Sequence, residues 1–165
     1  MEKIWAPWRG EYIQNSLKQN PDECLFCELL KQKPSKENLV IHNSKDGLVV
    51  LNKYPYNSGH IMVVPKKHAD SFDKLNDEEY KSLSNLLKLS VKVIYNVYEP
   101  QGCNVGMNLG RAAGAGIASH IHYHVVPRWN GDMNFMPVIS EVKIISEHLL
   151  TAYEKIAKGF LEVQK

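Results

Sequence analysis

The chain has 165 residues, which is the length of one ordinary domain with a sizeable core. It is 44% hydrophobic and 23% charged, as globular proteins are, and its 20 Lys and Arg nearly balance its 18 Asp and Glu. This balance excludes the clustered basic excess of a dedicated nucleic-acid binder. No stretch approaches the ~18 apolar residues of a membrane span, and the first residues lack the apolar core of a signal peptide. We therefore expect a cytoplasmic protein that binds neither nucleic acid nor membrane.

The first half of the chain begins with an arm, residues 1–20, that is rich in aromatic residues and lacks clean periodicity. Three short segments rich in Val, Leu and Ile then predict strands over 38–42, 47–52 and 60–65. Turn residues separate these segments, which predicts an antiparallel meander.

A long helix is predicted over 77–98, where apolar residues recur at helical spacing. Asn76 is its predicted N-cap, Glu79 follows three residues later, and Pro100 ends the pattern.

The second half of the chain predicts two more strands, over 103–108 and 120–127. They are joined by the segment "LGRAAGAGIAS", whose glycines and small residues suit a loop with exposed backbone N–H groups. An amphipathic stretch over 146–163 predicts a C-terminal helix.

Histidine occupies every second position of the last predicted strand, and apolar or aromatic residues lie between. The histidines are His120, His122 and His124, and the intervening residues are Ile121, Tyr123 and Val125. Successive side chains of a strand point to opposite faces, so the imidazoles should share one face while the others enter the core. Imidazole can act as a nucleophile, an acid or base, or a metal ligand. The alternative is a polar strand face that happens to carry histidine, which the strict spacing disfavours.

A Cys-x-x-Cys pair, Cys24 and Cys27, supplies two thiolates at a separation that zinc sites commonly use. His68 and His120 are the best-placed candidates to complete a Cys2His2 site. The spacing alone leaves two alternatives open, a redox pair or incidental buried cysteines, although no βαβ context for a redox pair is apparent. Cys103 has no partner in the sequence, and we expect it in the core.

Two segments together resemble a known family. "HIHYHVV" at 120–126 resembles the His-x-His-x-His motif of the histidine triad family, and "LNKYPYNSGHIMVVPKKH" at 51–68 resembles the nucleotide-binding half of the same family. The resemblance runs from about Cys24 to Trp129. The segment "GAGIASHIHYHVVPRWNGDMNFMPV" and the N-terminal "WAPWR" are most similar to the bacterial branch associated with diadenosine polyphosphate phosphorylase activity. The fragile-histidine-triad hydrolases are close relatives of that branch.

The resemblance implies an α+β, histidine-triad-like fold, with a mainly antiparallel sheet of about five strands, one long helix across it and a C-terminal helix. Residues 21–130 would form the nucleotide-binding catalytic domain, and 131–165 a C-terminal extension that contains the last helix. The resemblance also implies a symmetric homodimer formed through the long helix and the sheet edge.

The resemblance divides the three histidines by role. It implies that His122 attacks the α-phosphorus to form a nucleotidyl-histidine, and that His124 binds the phosphate or protonates the leaving oxygen. It assigns His120 to a closed structural zinc site that fixes the triad strand. The implied zinc ligands are Cys24, Cys27, His68 and His120.

The resemblance also implies a set of nucleotide and phosphate contacts. These residues are Asn52, Asn108, Gly114, Gly116 and Trp129. Asn52 would contact the ribose, although an ordinary turn-entering Asn is the alternative. Trp129 would stack on a base or else pack as a core or dimer tryptophan. We expect His60 to be structural. The hydrolase branch has a glutamine in the loop before the triad, whereas this chain has Gly116 and Ile117, so hydrolase-type handling of the phosphate is in doubt.

The expected function is nucleotidyl transfer from a dinucleoside polyphosphate such as diadenosine tetraphosphate, with inorganic phosphate as the acceptor. One alternative is hydrolysis of dinucleoside polyphosphates or of nucleoside phosphoramidates. An alternative of another class is a nucleotide-binding sensor or partner protein with vestigial catalysis. A zinc-stabilised structural domain would leave the aligned His122 and His124 unexplained.

Overall fold

The computed structural model describes residues 24–132 and 145–163, so the arm 1–20 and part of the extension 131–165 lie outside the described residues. Within these described residues there are three α-helices, namely α1 Leu25–Leu30, α2 Asp77–Tyr98 and α3 Leu149–Val163. The same residues contain five strands, namely β1 Val40–Ser44, β2 Gly47–Leu51, β3 Ile61–Val64, β4 Gly102–Gly106 and β5 Tyr123–Arg128. No helix within these described ranges is long and apolar enough to cross a membrane.

The strands form one sheet in the order β1-β2-β3-β5-β4, and every neighbouring pair is antiparallel. The predicted meander is therefore confirmed as β1, β2 and β3. The α+β class and the sheet of five strands are confirmed as well. β5 lies between β3 and β4, where His124 pairs with Met62 on one side and with Gly106 on the other.

The two faces of the sheet pack against different helices because strand side chains alternate with a period of two. One face packs against α2 and α3 through Val49, Leu51, Ile61, Val63 and Val125. The opposite face packs against α1, and its buried residues are Phe26, Leu29, Val40, Leu48, Val50 and Val64. Ile121 and Tyr123 join the first core, as the histidine alternation predicted, which leaves the imidazoles on the α1 face.

Helix α2 has the predicted bounds and the predicted N-terminal cap. The side chain of Asn76 accepts the backbone N–H of Glu79 at 2.9 Å, and the carboxylate of Glu79 accepts the backbone N–H of Asn76 at 2.9 Å. This reciprocal pair satisfies two N–H groups that a helix start otherwise leaves without partners. The helix ends at Tyr98, and its C-cap Glu99, one residue before Pro100, has a φ of 45° in the left-handed region.

Helix α3 docks onto both α2 and β1. The Tyr153 hydroxyl donates to the carbonyl of Val40 at 3.1 Å. A Cβ added at Gly159 would lie 2.5 Å from Cγ2 of Val97, so the absence of a side chain lets the two helices approach closely. The helix begins at Leu149, three residues later than the sequence pattern predicted.

The predicted strand over 120–127 is wrong at its start, because β5 begins at Tyr123. His120 and His122 precede the strand, where the N–H of Ile121 donates to the carbonyl of Ala69 at 2.7 Å instead of to a sheet partner. The alternation of side chains nevertheless continues through this segment. The sequence pattern missed α1, since six residues are too few to show helical periodicity.

Candidate active site and metal cluster

Five imidazoles lie in a row on the α1 face, and we call this set the imidazole row. In spatial order they are His68, His120, His122, His124 and His60. Ring centroids are 5.1 Å apart for His68 and His120, 4.9 Å for His122 and His124, and 5.1 Å for His124 and His60. The ring of Phe26 bridges the row between His120 and His122.

Four side chains meet at the first end of the imidazole row and form the Cys2His2 cluster. They are Cys24, Cys27, His68 and His120, and their candidate ligand atoms all lie within 4.8 Å of one another. Cys24 Sγ lies 3.3 Å from Nδ1 of His120, and Cys27 Sγ lies 3.2 Å from Nδ1 of His68. Residues that are distant in sequence thus converge, as predicted, on a group that could hold a metal.

The chemistry of the Cys2His2 cluster fits a metal ion. The ring Nε2–H of His120 donates to the carbonyl of Pro65 at 3.0 Å, which leaves the lone pair of Nδ1 facing the thiols. Ligating histidines commonly have such a partner on the other nitrogen. Burial lowers the pKa of His120 to about 4, so the ring is neutral as a ligand must be.

The thiols of the Cys2His2 cluster favour a cation over the alternatives. Each cysteine of the described residues is a free thiol. Burial and the neighbouring Cys24 raise the pKa of Cys27 to about 11, because two close thiolates repel each other. A cation would reverse that repulsion, and the two imidazoles would complete a donor set of the kind that tetrahedral metal sites use. Incidental buried cysteines would not gather His68 and His120 around them.

His122 lies at the centre of the imidazole row and is only 4% exposed. Its Nδ1–H donates to the backbone carbonyl of His120 at 3.0 Å. This bond fixes the tautomer, so the lone pair resides on Nε2. Burial lowers the pKa of His122, which keeps the ring neutral at physiological pH. A neutral imidazole with a fixed tautomer is a competent nucleophile.

His124 has its tautomer set by a chain of hydrogen bonds from the turn between β2 and β3. The backbone N–H of Tyr56 donates to Nδ1 of His60 at 3.0 Å, so the proton of His60 resides on Nε2. That Nε2–H donates to Nδ1 of His124 at 2.9 Å. His124 therefore carries its own proton on Nε2, and burial followed by the proximity of His122 lowers its pKa to about 4. It is a neutral hydrogen-bond donor.

His60 was expected to be structural, and the structure places it in direct contact with His124. It is fully buried, and its ring lies 4.6 Å from that of Tyr56. Asn52 contacts both His60 and the turn that follows β2. Its amide nitrogen lies 3.2 Å from Nδ1 of His60, and its side-chain oxygen accepts the N–H of Tyr54 at 3.0 Å. The side chain predicted to contact a ribose thus also holds the turn and the ring of His60.

The loop between β4 and β5 differs from the expectation of exposed backbone N–H groups. Gly114 donates its N–H to the carbonyl of Arg111 at 2.9 Å, and Ala115 donates to that of Gly110 at 3.3 Å. These amides close a short 3-10 turn, in which Gly114 has a φ of 90° that suits glycine. The expectation of freely exposed amides is therefore wrong for Gly114 and Ala115. Gly116 follows this turn.

Asn108 and Trp129 follow the ends of β4 and β5 along the chain. Gly106, the last residue of β4, pairs with His124, and Asn108 lies two residues further along the chain. Trp129 follows the far end of β5, about 16 Å along the chain from His124 at ~3.3 Å per strand residue. Its ring contacts Tyr98 edge to face at 6.1 Å. The predicted nucleotide contacts of Asn108 and Trp129 therefore stay predictions.

Sequence reasoning missed three contributors to the site, namely Phe26, Tyr56 and the carbonyl of Pro65. The Cys-x-x-Cys pattern identifies the two cysteines and carries no signal for the apolar residue between them. A backbone carbonyl or amide has no signature in the sequence, so neither Pro65 nor the N–H of Tyr56 could be found that way. Cys103, expected in the core, is half-buried on β4.

An antiparallel sheet that aligns neutral imidazoles beside a Cys2His2 cluster defines a class of proteins whose site is built from histidine. Comparison with family models identifies the family within this class. The family model for the HIT domain matches residues 33–131, and the chain belongs to the histidine triad family. The expectation of a histidine triad enzyme is thereby confirmed at the level of the family.

Individual relatives agree with this assignment. The chain is 39% identical over 155 residues to a protein of Mycobacterium tuberculosis named AP-4-A phosphorylase, covering 90% of this chain and 79% of the relative. It is 32% identical over 107 residues to an adenosine 5'-monophosphoramidase of Schizosaccharomyces pombe, covering 65% and 75%. A zinc-bound histidine triad family protein of Mycobacterium smegmatis has the same fold, with a TM-score of 0.67 at 22% identity over 90% of this chain and 97% of that one.

Proposed function

We propose that this protein cleaves dinucleoside polyphosphates such as diadenosine tetraphosphate by nucleotidyl transfer through His122, with inorganic phosphate as the acceptor. The observation that carries the proposal is the hydrogen bond from Nδ1–H of His122 to the carbonyl of His120, which leaves Nε2 as a free nucleophile. The similarity to AP-4-A phosphorylase supports the choice of substrate and acceptor.

The proposed reaction has two steps. First, Nε2 of His122 attacks the α-phosphorus, a nitrogen–phosphorus bond forms, and the bond to the bridging oxygen breaks. The Nε2–H of His124 donates a hydrogen bond to that leaving oxygen and keeps its proton, and ATP departs from diadenosine tetraphosphate as the anion. Second, an unprotonated oxygen of inorganic phosphate attacks the same phosphorus, the nitrogen–phosphorus bond breaks, and His122 leaves as the neutral imidazole. The products are ADP and ATP.

Phosphate oxygens gain negative charge in both transition states, so the site needs fixed donors around the phosphorus. We assign this role to Asn108 and to the backbone at Gly116, while Gly114 shapes the turn that precedes it. Asn52 lies at the His60 end of the row, where it would contact the ribose. For Trp129 we favour the alternative role, packing against Tyr98, over stacking on a base.

We propose zinc for the Cys2His2 cluster. Two thiolates and two imidazoles are ligands that zinc accepts, and four protein ligands leave no position for a substrate. When bound, the metal would supply structure and not chemistry. Its ligand His120 would then be held in place, and so would the carbonyl that orients His122.

We also propose that two copies of the chain associate through the edge strand β4. Its residues Asn104, Val105 and Gly106 are exposed, and Val105 is 44% exposed although it is apolar. An uncovered edge strand offers unpaired backbone groups to a partner. Sedimentation of the wild type should therefore give a dimer, and Val105→Lys should shift it towards monomer. A monomeric wild type would contradict this proposal.

Product analysis tests the proposed reaction directly. Diadenosine tetraphosphate is supplied with and without ³²P-labelled inorganic phosphate, and the nucleotides are separated. Phosphorolysis predicts ADP and ATP, with the label only in ADP. Formation of AMP and ATP at a rate independent of phosphate would instead indicate hydrolysis. Binding of AMP without turnover of this substrate or of an adenosine phosphoramidate would favour a sensor, and either result overturns the proposed phosphorolysis.

A further inference from the structure

Helix α1 connects the Cys2His2 cluster to the imidazole row. Cys24 is the N-cap of this helix and Cys27 lies in its first turn, so both thiols belong to one short segment of six helical residues. Phe26 lies between them in sequence. Cys24 and Cys27 face the metal cluster, whereas Phe26 points into the sheet and is fully buried.

The ring of Phe26 contacts the two histidines whose hydrogen bond orients the nucleophile. Its centroid lies 5.6 Å from that of His120, with the planes nearly perpendicular at 86°. It lies 4.9 Å from that of His122, with the planes tilted by 58°. Edge and tilted contacts at these separations are the favourable geometries for aromatic rings. Phe26 therefore packs on both rings at the point where His122 donates to the carbonyl of His120.

We propose that Phe26 is a positioning residue that transmits the order of the metal cluster to the nucleophile His122. The inference rests on the proposed function, in which His122 attacks phosphorus. The cluster fixes the ends of the segment that carries Phe26, and the Phe26 ring limits rotation of the imidazole of His122. Rotation away from the carbonyl of His120 would lose the tautomer that leaves Nε2 free.

An ordinary core role is the alternative, because Phe26 also packs with Leu29, Leu48, Val50 and Val64. Leu29 offers a matched comparison, since it lies on the same helix and in the same buried cluster. A pure core role predicts that truncating either residue lowers stability without a selective change in the chemical step. A positioning role predicts that only Phe26 affects the nucleophile.

The first experiment compares Phe26→Leu with Leu29→Ala in the metal-loaded protein, using diadenosine tetraphosphate and phosphate. Phe26→Leu should lower kcat by about 10- to 100-fold, the usual range for residues that orient a site from behind, with KM nearly unchanged. Leu29→Ala should lower the melting temperature but leave kcat near the wild-type value. Phe26→Met keeps the apolar volume and replaces Phe26→Leu if that variant does not fold.

The second experiment observes the nucleophile without turnover. In protein labelled with ¹⁵N-histidine, the wild-type His122 should show one tautomer, protonated on Nδ1. Phe26→Leu should give mixed tautomers at His122, and removing the metal from the wild type with a chelator should do the same. Removing the metal from the Phe26→Leu variant should add little further mixing of the His122 tautomers, because both changes act on His122 through the Phe26 ring.

The outcomes separate this inference from the proposed reaction. A single tautomer in Phe26→Leu, or an equal loss of kcat in Leu29→Ala, would overturn the positioning role. If the wild type fails to turn over the substrate but Phe26→Leu still gives mixed tautomers at His122, the positioning role holds and the proposed function fails.

Discussion

The two ends of the imidazole row use the same side chain in opposite ways. At the Cys2His2 end, His120 is fully buried, with one ring nitrogen on the carbonyl of Pro65 and the other facing the thiols. At the other end, His124 accepts a bond from His60 on one nitrogen and keeps a proton on the second. His120 has no nitrogen left for a substrate, whereas His124 has one.

This difference shows that the partners of an imidazole, and not its place in the motif, decide its role. In the proposed mechanism, three histidines with identical spacing serve as a ligand, a nucleophile and a hydrogen-bond donor, because one nitrogen of each ring is bonded to a different neighbour. His122 lies between the two ends and depends on the first for its orientation. The account predicts that damage at the cluster end appears in stability and metal content, and damage at the other end in turnover.

The largest effect is expected for His122→Ala. Removing the nucleophile should lower kcat by at least about 10⁴-fold, since such groups act as a unit with the rest of the machinery. The fold should be retained because the Cys2His2 cluster stays intact, although the buried gap should lower the melting temperature. Nucleotide release from diadenosine tetraphosphate measures the loss, and His42→Ala, a histidine outside the row, should keep the wild-type rate. Near-normal turnover by His122→Ala would refute the mechanism.

His120→Ala should chiefly lower stability. The variant loses a ligand of the Cys2His2 cluster and leaves a buried gap, so the free energy of unfolding should fall by at least about 3 kcal/mol. Urea unfolding and elemental analysis of the purified protein measure the two consequences. Chelation of the wild type should reproduce the loss of stability. A variant that retained one metal per chain and full stability would show that the cluster is not a metal site.

His60→Gln should have an intermediate effect on turnover. The substitution disturbs the donor that fixes the tautomer of His124, and kcat should fall by about 10- to 100-fold with metal content unchanged. Steady-state kinetics and metal analysis of the same preparation provide the test. If kcat is unchanged, the hydrogen bond between His60 and His124 does not matter for the reaction.

The smallest effect is expected for Trp129→Leu. The indole contacts Tyr98 at the far end of β5, so KM for the nucleotide should change by less than about two-fold, as for a substitution outside the site. A modest loss of stability is expected from the lost ring contact. A large rise in KM would place Trp129 on the base after all.

Periodicity in the sequence predicted most of the fold. The capping pattern of Asn76 and Glu79 fixed the start of α2 because the partners are three residues apart, and the alternation around His122 assigned the faces of β5 because it is local. The start of β5 could not be predicted, since it depends on the bond from Ile121 to the distant Ala69. The amides around Gly114 also escaped prediction, because a glycine-rich segment does not reveal which carbonyls its N–H groups meet.

The candidate site was predictable only in part, for the same physical reason. The members of the Cys2His2 cluster could be predicted from residue chemistry and family resemblance, since Cys and His are recognisable in the sequence as candidate metal ligands. The tautomers of His122 and His124 could not be predicted, because they depend on the backbone carbonyl of His120 and on the backbone N–H of Tyr56. Phe26 was overlooked because an apolar residue between two cysteines looks like ordinary core.

Trapping the intermediate tests the central claim most directly. The wild type is mixed with diadenosine tetraphosphate without inorganic phosphate, quenched in denaturing base, where a nitrogen–phosphorus bond survives, and measured by intact and peptide mass spectrometry. The account predicts one adenylyl group per chain on the peptide that contains His122, its disappearance when phosphate is added before the quench, and no adduct in His122→Ala. Substrate cleavage without any adduct, or an adduct that persists in His122→Ala, would contradict it.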